Sequence, residues 1–313
     1  MPSRAGRHRV PRAVAGTRNR GARRHGRRRH PLQPLRITAG PHTFDALACG
    51  PADGEVVLLL HGWPEFADSW SGVLPALGDA GYRAVAVDQR GYSPDARPPR
   101  IADYAVPELV ADALAFVDAL GAERCHVVSH DWGGMVAWAL AGAHPERLAS
   151  LTVLATPHPE ALDRAAADDP EQHHRLDYVR FFRRPDGAAE SALLADSAAR
   201  LRAVYGGKVP AELVEANVRR LSEPGALTAT LNWYRAPEAV ISVPAGRIAV
   251  PTLFLWGSED IALGRGAAES TGEWVDGPYR FEALEGASHW LPEEVPALVT
   301  PKILDHLAAH RQG

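Results

Sequence analysis

Three ionisable residues, Asp131, Asp260 and His289, each come shortly after an apolar run that predicts a buried strand. Open α/β sheets place their active sites at the carboxyl ends of parallel strands, so the three side chains are expected to lie close together. A histidine in a Gly- and Ser-rich loop is, by itself, more often a structural residue than a base. Two acids and a histidine that all follow strands are a stronger signal, and they indicate nucleophilic hydrolysis.

Asp131 stands among small residues in a pattern typical of a nucleophile elbow, a tight turn between a strand and a helix. Ser129 and Gly133 lie two residues before and after it, where bulkier side chains would collide across the turn. The residue raised by such a turn is more commonly a serine. An esterase is not indicated, since Ser129 itself has Val127 and Asp131 at the flanking positions. The alternative is an ordinary strand–helix turn in which Asp131 only caps the helix.

The elements that would position these residues alternate between strand and helix. Apolar runs at 55–60, 82–87, 125–128, 151–155, 251–256 and 279–284 predict strands. Helical spacing predicts helices over 69–80, from Pro107 to Gly121, after the elbow, and over 296–309. Two short strands near 35–38 and 43–49 would form an N-terminal hairpin. This alternation predicts a doubly wound, mostly parallel sheet.

The alternation of predicted strands and helices is interrupted between residues 157 and 250. This stretch is rich in Ala, Arg, Leu and Glu and predicts several amphipathic helices. We therefore expect an α/β core formed by residues 35–156 and 251–313, interrupted by a helical cap over 157–250. Residues 1–34 precede the core as an Arg-rich tail.

The net charge of −4 hides an uneven distribution. Residues 1–44 contain twelve arginines and no acid, which leaves 22 basic against 38 acidic residues in the remainder. Such a tail cannot form an apolar face and is expected to be disordered. A nucleic-acid-binding arm is one interpretation. We favour a solvated tail or an over-extended start of the coding sequence, and expect no nucleic-acid partner.

Cysteine, histidine and hydropathy patterns exclude several classes of protein. The two cysteines, Cys49 and Cys125, form neither a disulfide framework nor a metal-ligand spacing. The adjacent pair His173 and His174 would point in different directions on a helix, so no metal site is expected. No run reaches the roughly 18 apolar residues of a membrane span. We expect a cytoplasmic protein that needs no cofactor.

Residues 35–311 resemble α/β-hydrolases of the epoxide hydrolase group. The segments that carry the resemblance are His61–Glu65, Asp88–Pro94, Ser129–Gly134, Asn232–Arg235 and Ser288–Trp290. The first three also occur, with variations, in haloalkane dehalogenases and therefore indicate the superfamily. The Asn-Trp-Tyr-Arg segment is the more specific one. The resemblance implies the α/β-hydrolase fold with an inserted helical cap and the chain order nucleophile, acid, histidine.

The resemblance also implies a two-step reaction. Asp131 attacks an epoxide carbon and forms an alkyl ester, which water activated by His289 then hydrolyses to a vicinal diol. Asp260 would orient His289. Glu259 is its rival for that role because it is adjacent, and Glu160 is a more distant rival because some relatives place the acid after the preceding strand.

Hydrogen-bond donors complete the implied site. The backbone N–H groups of Trp63 and Trp132 would form the oxyanion hole, and the Trp63–Pro64 peptide bond is expected to be cis. The ring oxygen needs a proton when it leaves, and the resemblance assigns this to Tyr178 and Tyr234 in the cap. Tyr178 has the alternative of simple packing beside neighbouring aromatic residues.

The substrate is expected to be a small, fairly apolar epoxide, which fits a role in detoxification, with water as co-substrate. The residues expected to line its pocket are His61, Phe181, Phe182, Trp233 and Trp290. A haloalkane dehalogenase remains an alternative, since the Trp132 indole could bind a halide. Fluoroacetate dehalogenases carry an arginine at this position and are disfavoured. A non-catalytic binding protein that uses the basic arm is a remote third interpretation. The sequence leaves monomer and homodimer open.

Overall fold

The computed structural model describes residues 30–236 and 245–312. The predictions of disorder and of nucleic-acid binding for the Arg-rich tail fall on residues outside this part of the chain. Residues 30–34 differ from the expectation because they already lie against the core. The Cys49 thiol donates to the His30 carbonyl oxygen, and the first strand begins at Gln33.

A single sheet of eight strands forms the centre of the fold, in the order β1-β2-β4-β3-β5-β6-β7-β8. The strands are β1 (Gln33–Ala39), β2 (His42–Cys49), β3 (Val56–Leu60), β4 (Arg83–Val87), β5 (Cys125–His130), β6 (Leu148–Leu154), β7 (Thr252–Gly257) and β8 (Tyr279–Leu284). Strands β1 and β2 pair antiparallel, β2 joins β4 antiparallel, and every other pairing is parallel. The predicted hairpin and mostly parallel sheet are confirmed.

Both faces of the central strands are covered. Leu58 packs into a hydrophobic cluster on one side of the sheet and its neighbour Leu59 into a second cluster on the other side. Successive side chains of a strand point to opposite faces, so a strand covered on both sides must be apolar throughout. This explains why β3 is the continuous run Val-Val-Leu-Leu-Leu.

Helices from the core sequence cover these faces. They are α1 (Leu74–Asp79), α2 (Val106–Ala119), α3 (Trp132–Ala143), α10 (Arg265–Ser270), α11 (Leu291–Glu294) and α12 (Pro296–Ala309). The predicted helix over 69–80 is wrong in one respect, because a 3₁₀ segment, Ala67–Gly72, precedes α1. Pro75 lies at the second position of α1 and has no N–H to donate to the preceding turn, so a continuous α-helix would lose a hydrogen bond there.

Among the described residues between β6 and β7 there are six helices, and we call residues 159–235 the cap segment. They are α4 (Pro159–Asp168), α5 (Pro170–Arg175), α6 (Asp177–Phe182), α7 (Ala188–Val204), α8 (Ala211–Leu221) and α9 (Ala226–Arg235). Helix α7 is broken near residue 196 by three consecutive residues with positive φ. None of the helices in residues 30–236 and 245–312 is long and apolar enough to cross a membrane.

Candidate active site

The turn between β5 and α3 holds Asp131 in a strained backbone conformation, with φ 48° and ψ −122°. Close packing against the loop after β3 makes glycine necessary on both sides. A Cβ atom on Gly133 would lie 2.4 Å from the Leu60 carbonyl oxygen, and one on Gly62 would lie 2.3 Å from the Cβ of Asp131. Thr156 donates a hydrogen bond of 2.9 Å to the Asp131 carbonyl oxygen. These contacts support an otherwise unfavourable conformation that raises the carboxylate above the sheet.

The three predicted polar residues meet at this edge of the sheet. Nδ1 of His289 lies 2.7 Å from Oδ2 of Asp260, and Nε2 lies 3.5 Å from Oδ2 of Asp131. The other oxygen of Asp260 accepts hydrogen bonds of 2.8 and 2.9 Å from the backbone amides of Ala262 and Leu263. Asp260 is thereby fixed in orientation, and it fixes the ring of His289 in turn.

Neither rival acid is near the histidine ring. Glu259 is exposed and pairs with Lys208 at 3.3 Å. Glu160 accepts hydrogen bonds from the backbone amides of Ala245 and Gly246, where the chain returns from the cap segment to the core. Of the three candidates, the geometry brings only Asp260 to His289.

A backbone donor faces the nucleophile candidate. The amide of Trp63 donates a hydrogen bond of 2.7 Å to Oδ1 of Asp131, and the Trp63–Pro64 peptide bond is cis, as expected. Trp132, the second expected donor, is the first residue of α3. One oxygen of Asp131 therefore lies in an oxyanion-type site, while the other faces His289.

Opposite charges hold the nucleophile and the histidine in their ionised forms. Burial raises the pKa of Asp131, but the His289 ring and the Trp63 amide outweigh it and lower that pKa below its usual value. Burial also lowers the pKa of His289, yet the carboxylates of Asp260 and Asp131 raise it well above the ordinary value. At neutral pH the free protein thus contains an imidazolium between two carboxylates.

Two tyrosines from the cap segment reach the same place. The rings of Tyr178 and Tyr234 lie 6.2 Å apart, and Tyr234 makes an edge contact of 5.0 Å with Trp132. The Trp132 indole N–H donates to the Tyr234 hydroxyl, and the hydroxyls of Tyr234 and Tyr178 are hydrogen-bonded to each other. Burial, together with the charge of Asp131, raises the pKa of both phenols above the usual value, so both keep their protons.

Two cavities meet at Asp131 and the tyrosine pair. The larger has a volume of about 250 Å³. Its aromatic lining consists of Trp63, Tyr178, Phe182, Tyr234 and Trp290. The smaller, of about 30 Å³, lies on the side of Trp132, Met135 and Leu176. A ligand that spans this point would have one reacting carbon beside the carboxylate and polar atoms beside the phenols.

Comparison with known proteins agrees with this arrangement. Residues 55–296 match the sequence family described as alpha/beta hydrolase fold. The AB hydrolase superfamily protein YfhM of Bacillus subtilis is 36% identical over 85% of this chain and 94% of its own length. Epoxide hydrolase A of Mycobacterium tuberculosis is 35% identical over 82% of this chain and 92% of its own length. The chain belongs to the α/β-hydrolase family.

Solved structures place this α/β-hydrolase beside epoxide hydrolases. The structure of epoxide hydrolase A from Mycobacterium thermoresistibile matches with a TM-score of 0.78 and 28% identity, over 90% of this chain and all of the other. The Bacillus megaterium epoxide hydrolase, solved with an inhibitor, gives a TM-score of 0.79 at 24% identity, over 88% of this chain and all of the other, which shows the common fold. The expected fold class is confirmed.

Three residues expected in the pocket of this α/β-hydrolase do not line either cavity. His61 is buried below the site, where Nδ1 bonds the Gly62 carbonyl oxygen and Nε2 accepts the Gln89 amide. Trp233 points its indole N–H at the Arg90 carbonyl oxygen, and Phe181 packs behind Phe182. Tyr234 and Phe182, the neighbours of Trp233 and Phe181, line the larger cavity instead, because successive side chains of a helix point in different directions. Phe182 and Trp290 line the larger cavity as expected.

Two buried residues of the site have no role in the sequence-based prediction. Nδ1 of His130 lies 2.9 Å from Oε2 of Glu65, and Nε2 lies 2.9 Å from the carbonyl oxygen of His289. Both stand inside motifs that carry the family resemblance, which was the available signal. Their contact joins positions 65 residues apart and cannot be read from local spacing. Together Glu65 and His130 support the backbone of His289 in this α/β-hydrolase.

Proposed function

We propose that this α/β-hydrolase opens epoxides to vicinal diols through a covalent alkyl ester on Asp131. The observation that carries the proposal is the pair of protonated phenols, Tyr178 and Tyr234, that line the same cavity as an ionised carboxylate. Several relatives at 30–35% identity are named epoxide hydrolases, which supports the same reaction here. A water molecule is the second substrate.

In the first step, Oδ2 of Asp131 attacks one ring carbon while the bond from that carbon to the ring oxygen breaks. Oδ1 stays hydrogen-bonded to the Trp63 amide and becomes the carbonyl oxygen of the ester. The leaving alkoxide is strongly basic, so it requires a proton or hydrogen bonds as it forms. One of the two phenols supplies the proton: the Tyr178 and Tyr234 hydroxyls are hydrogen-bonded to each other, so a single O–H serves that bond and the other can donate to the ring oxygen.

In the second step, His289 removes a proton from water, which attacks the ester carbonyl carbon. The negative charge develops on the oxygen that the Trp63 amide already contacts, so the donor is in place before the charge appears. Asp260 stabilises the imidazolium that forms. Cleavage of the ester then releases the diol and restores the Asp131 carboxylate.

Esterification itself prepares His289 for this role. In the free protein the Asp131 carboxylate, 3.5 Å away, helps to keep the histidine protonated. The ester carries no charge, so this contribution disappears and the pKa of His289 falls. The proton that leaves His289 can restore the tyrosine phenol. The base therefore becomes available after the nucleophile has reacted.

A haloalkane dehalogenase would use the same carboxylate but a different leaving group. A halide leaves as a stable anion and needs only N–H donors, and Trp132 could offer its indole. Here the indole N–H is bonded to the Tyr234 hydroxyl, which supports an oxygen leaving group.

We propose a cytoplasmic location for this protein. Its two cysteines, Cys49 and Cys125, are buried free thiols, which supports that proposal.

A panel of apolar epoxides and halogenated alkanes tests the proposal. We expect diol formation from epoxides such as styrene oxide and no halide release. Halide release without diol formation would contradict the epoxide assignment.

A deletion variant tests the role of the basic arm. The variant that lacks residues 1–29 should keep the full rate of hydrolysis. A large loss on deletion would support a function for the basic arm instead.

A further inference from the structure

A second pair of acids lies buried beneath the site. Glu65 follows the His61 loop, and Glu293 lies in α11, four residues after His289. Glu65 is 0% exposed and Glu293 is 8% exposed. The two carboxyl groups lie within hydrogen-bonding reach of each other. Carboxylates in such contact at low dielectric do not both ionise.

The oxygens of this acid pair are short of donors. Oε2 of Glu65 is satisfied by His130 and by the Gly62 amide. Within the described residues, Oε1 of Glu65 and both carboxyl oxygens of Glu293 accept no hydrogen bond, apart from a contact of Glu293 with its own amide. A proton on Glu293 that points at Oε1 of Glu65 satisfies two of these atoms at once.

Charge around the pair assigns the proton to Glu293. Nδ1 of His130 faces Oε2 of Glu65, and this contact favours the carboxylate form of Glu65 over that of Glu293. Burial and the charge of Glu65 raise the pKa of Glu293 well above the usual value, while the imidazole outweighs burial and lowers that of Glu65.

The remaining titratable groups around the pair do not provide a counter-charge for a second carboxylate. His61 is buried, and burial lowers its pKa to about 4, so it is neutral at pH 7. The phenol of Tyr205, which donates to the Pro64 carbonyl oxygen, and that of Tyr92 have their pKa raised by burial and stay neutral. Arg220 acts on His61 and is itself paired with Asp88.

We propose that Glu293 is a positioning residue, whose protonated carboxyl group donates a hydrogen bond to Oε1 of Glu65 and thereby keeps the support of His289 in place. The connection continues from Glu65 through the His130 ring to the His289 carbonyl oxygen. The inference rests on the proposed function, since it takes His289 as the base. Its first two tests need no substrate and therefore stay decisive if that function is wrong.

The first test is the infrared spectrum of the whole protein at neutral pH. We expect a carbonyl band of a protonated carboxylic acid that disappears in Glu293→Gln and persists in Glu294→Gln. Glu294 is a matched control, because hydrogen bonds from Ser288 and the charge of Lys208 outweigh burial and lower its pKa. No band, or a band that Glu293→Gln leaves unchanged, would overturn the proposal.

The second test is the melting temperature against pH. An acid whose pKa is raised on folding loses stability as pH rises from its unfolded value toward its folded value. Glu293→Gln keeps a donor and cannot ionise, so we expect its melting temperature to exceed that of the wild type by an amount that grows from pH 5 to pH 9. Glu294→Gln should instead be less stable than the wild type at alkaline pH. A pH-independent difference for Glu293→Gln would contradict the account.

The third test is a comparison of Glu293→Leu with Glu293→Gln in turnover. The leucine removes the donor to Glu65, so we expect at least a tenfold lower kcat with little change in KM and a slower ester hydrolysis step. Glutamine should restore most of that loss. Equal kcat values for the two variants would show that Glu293 does not position His289.

Discussion

The groups proposed to attack and hydrolyse lie in the core, whereas the phenols proposed to assist the leaving oxygen lie in the cap segment. In the core, Asp131, Asp260 and His289 stand on loops at the ends of neighbouring strands, and each is fixed by backbone hydrogen bonds or close packing. In the cap segment, Tyr178 and Tyr234 stand on α6 and α9 and depend on how these helices lie on the core. The fold thus separates attack from leaving-group assistance.

Polar contacts hold the two regions in register. The Tyr205 hydroxyl donates 2.8 Å to the Pro64 carbonyl oxygen, and the Trp233 indole donates 2.8 Å to that of Arg90. Arg220 of α8 pairs with Asp88 and Asp68 and lies over the Phe66 ring. Under the proposed function, changes to the cap phenols should alter the first chemical step and leave the groups of the second in place.

The largest effect is expected when the cap contribution is removed. Tyr178→Phe with Tyr234→Phe should abolish diol formation, because each lost donor to the leaving oxygen costs about 10²–10³-fold. The fold should persist, since only two hydroxyl groups are removed. Steady-state assays with styrene oxide measure the loss. Tyr279→Phe, a phenol in β8 away from the site, serves as the control, and normal activity in the double variant would refute the assignment.

Breaking the core contribution should stop the reaction one step later. His289→Gln should lower turnover by about 10²–10⁴-fold, as expected for loss of a general base, while ester formation on Asp131 continues. Mass spectrometry of the intact variant should then detect one equivalent of substrate bound covalently. A slow variant that never accumulates the ester would show that His289 is required before the attack.

The register between the regions can be tested by stability. Arg220→Met leaves the buried Asp88 carboxylate without its partner, so we expect a loss of about 2–3 kcal/mol in the free energy of unfolding, at the lower side of the range for buried pairs because Arg220 is partly exposed. Arg202→Met breaks an exposed pair with Glu215 and should cost much less stability than Arg220→Met. Urea unfolding measures both losses, and equal losses would contradict a role for Arg220 in holding the cap segment on the core.

The smallest effect concerns pH. The pKa of His289 is raised in the free protein, chiefly by Asp260 and Asp131 against the opposing effect of burial, and it should fall once Asp131 is esterified. Turnover limited by ester hydrolysis should therefore decline on acidification around a pH that lies below the pKa of His289 in the free protein. Nuclear magnetic resonance of the free protein measures the pKa of His289, and the pH profile of kcat gives the pH at which turnover declines. Equal values would contradict the formation of an ester on Asp131.

Much of the core was predictable because its signals are local. The bounds of β8 and α12 match the sequence pattern, and the elbow follows from small residues beside Asp131. Which aromatic residue lines the cavity was not predictable, as Trp233 and Phe181 show, because it depends on how helices rotate against the core. The contact between Glu65 and Glu293 joins distant segments and needed the folded structure.

A single turnover in isotopically labelled water tests the central claim most directly. With enzyme in excess over epoxide, the covalent route predicts that the label enters the carboxylate of Asp131 and that the diol carries an unlabelled oxygen from that side chain. Mass spectrometry of the peptide that contains Asp131 detects label in its carboxylate, and mass analysis of the diol shows whether its new oxygen is unlabelled. Label in the diol and none in Asp131 would mean direct attack by water and would contradict the account.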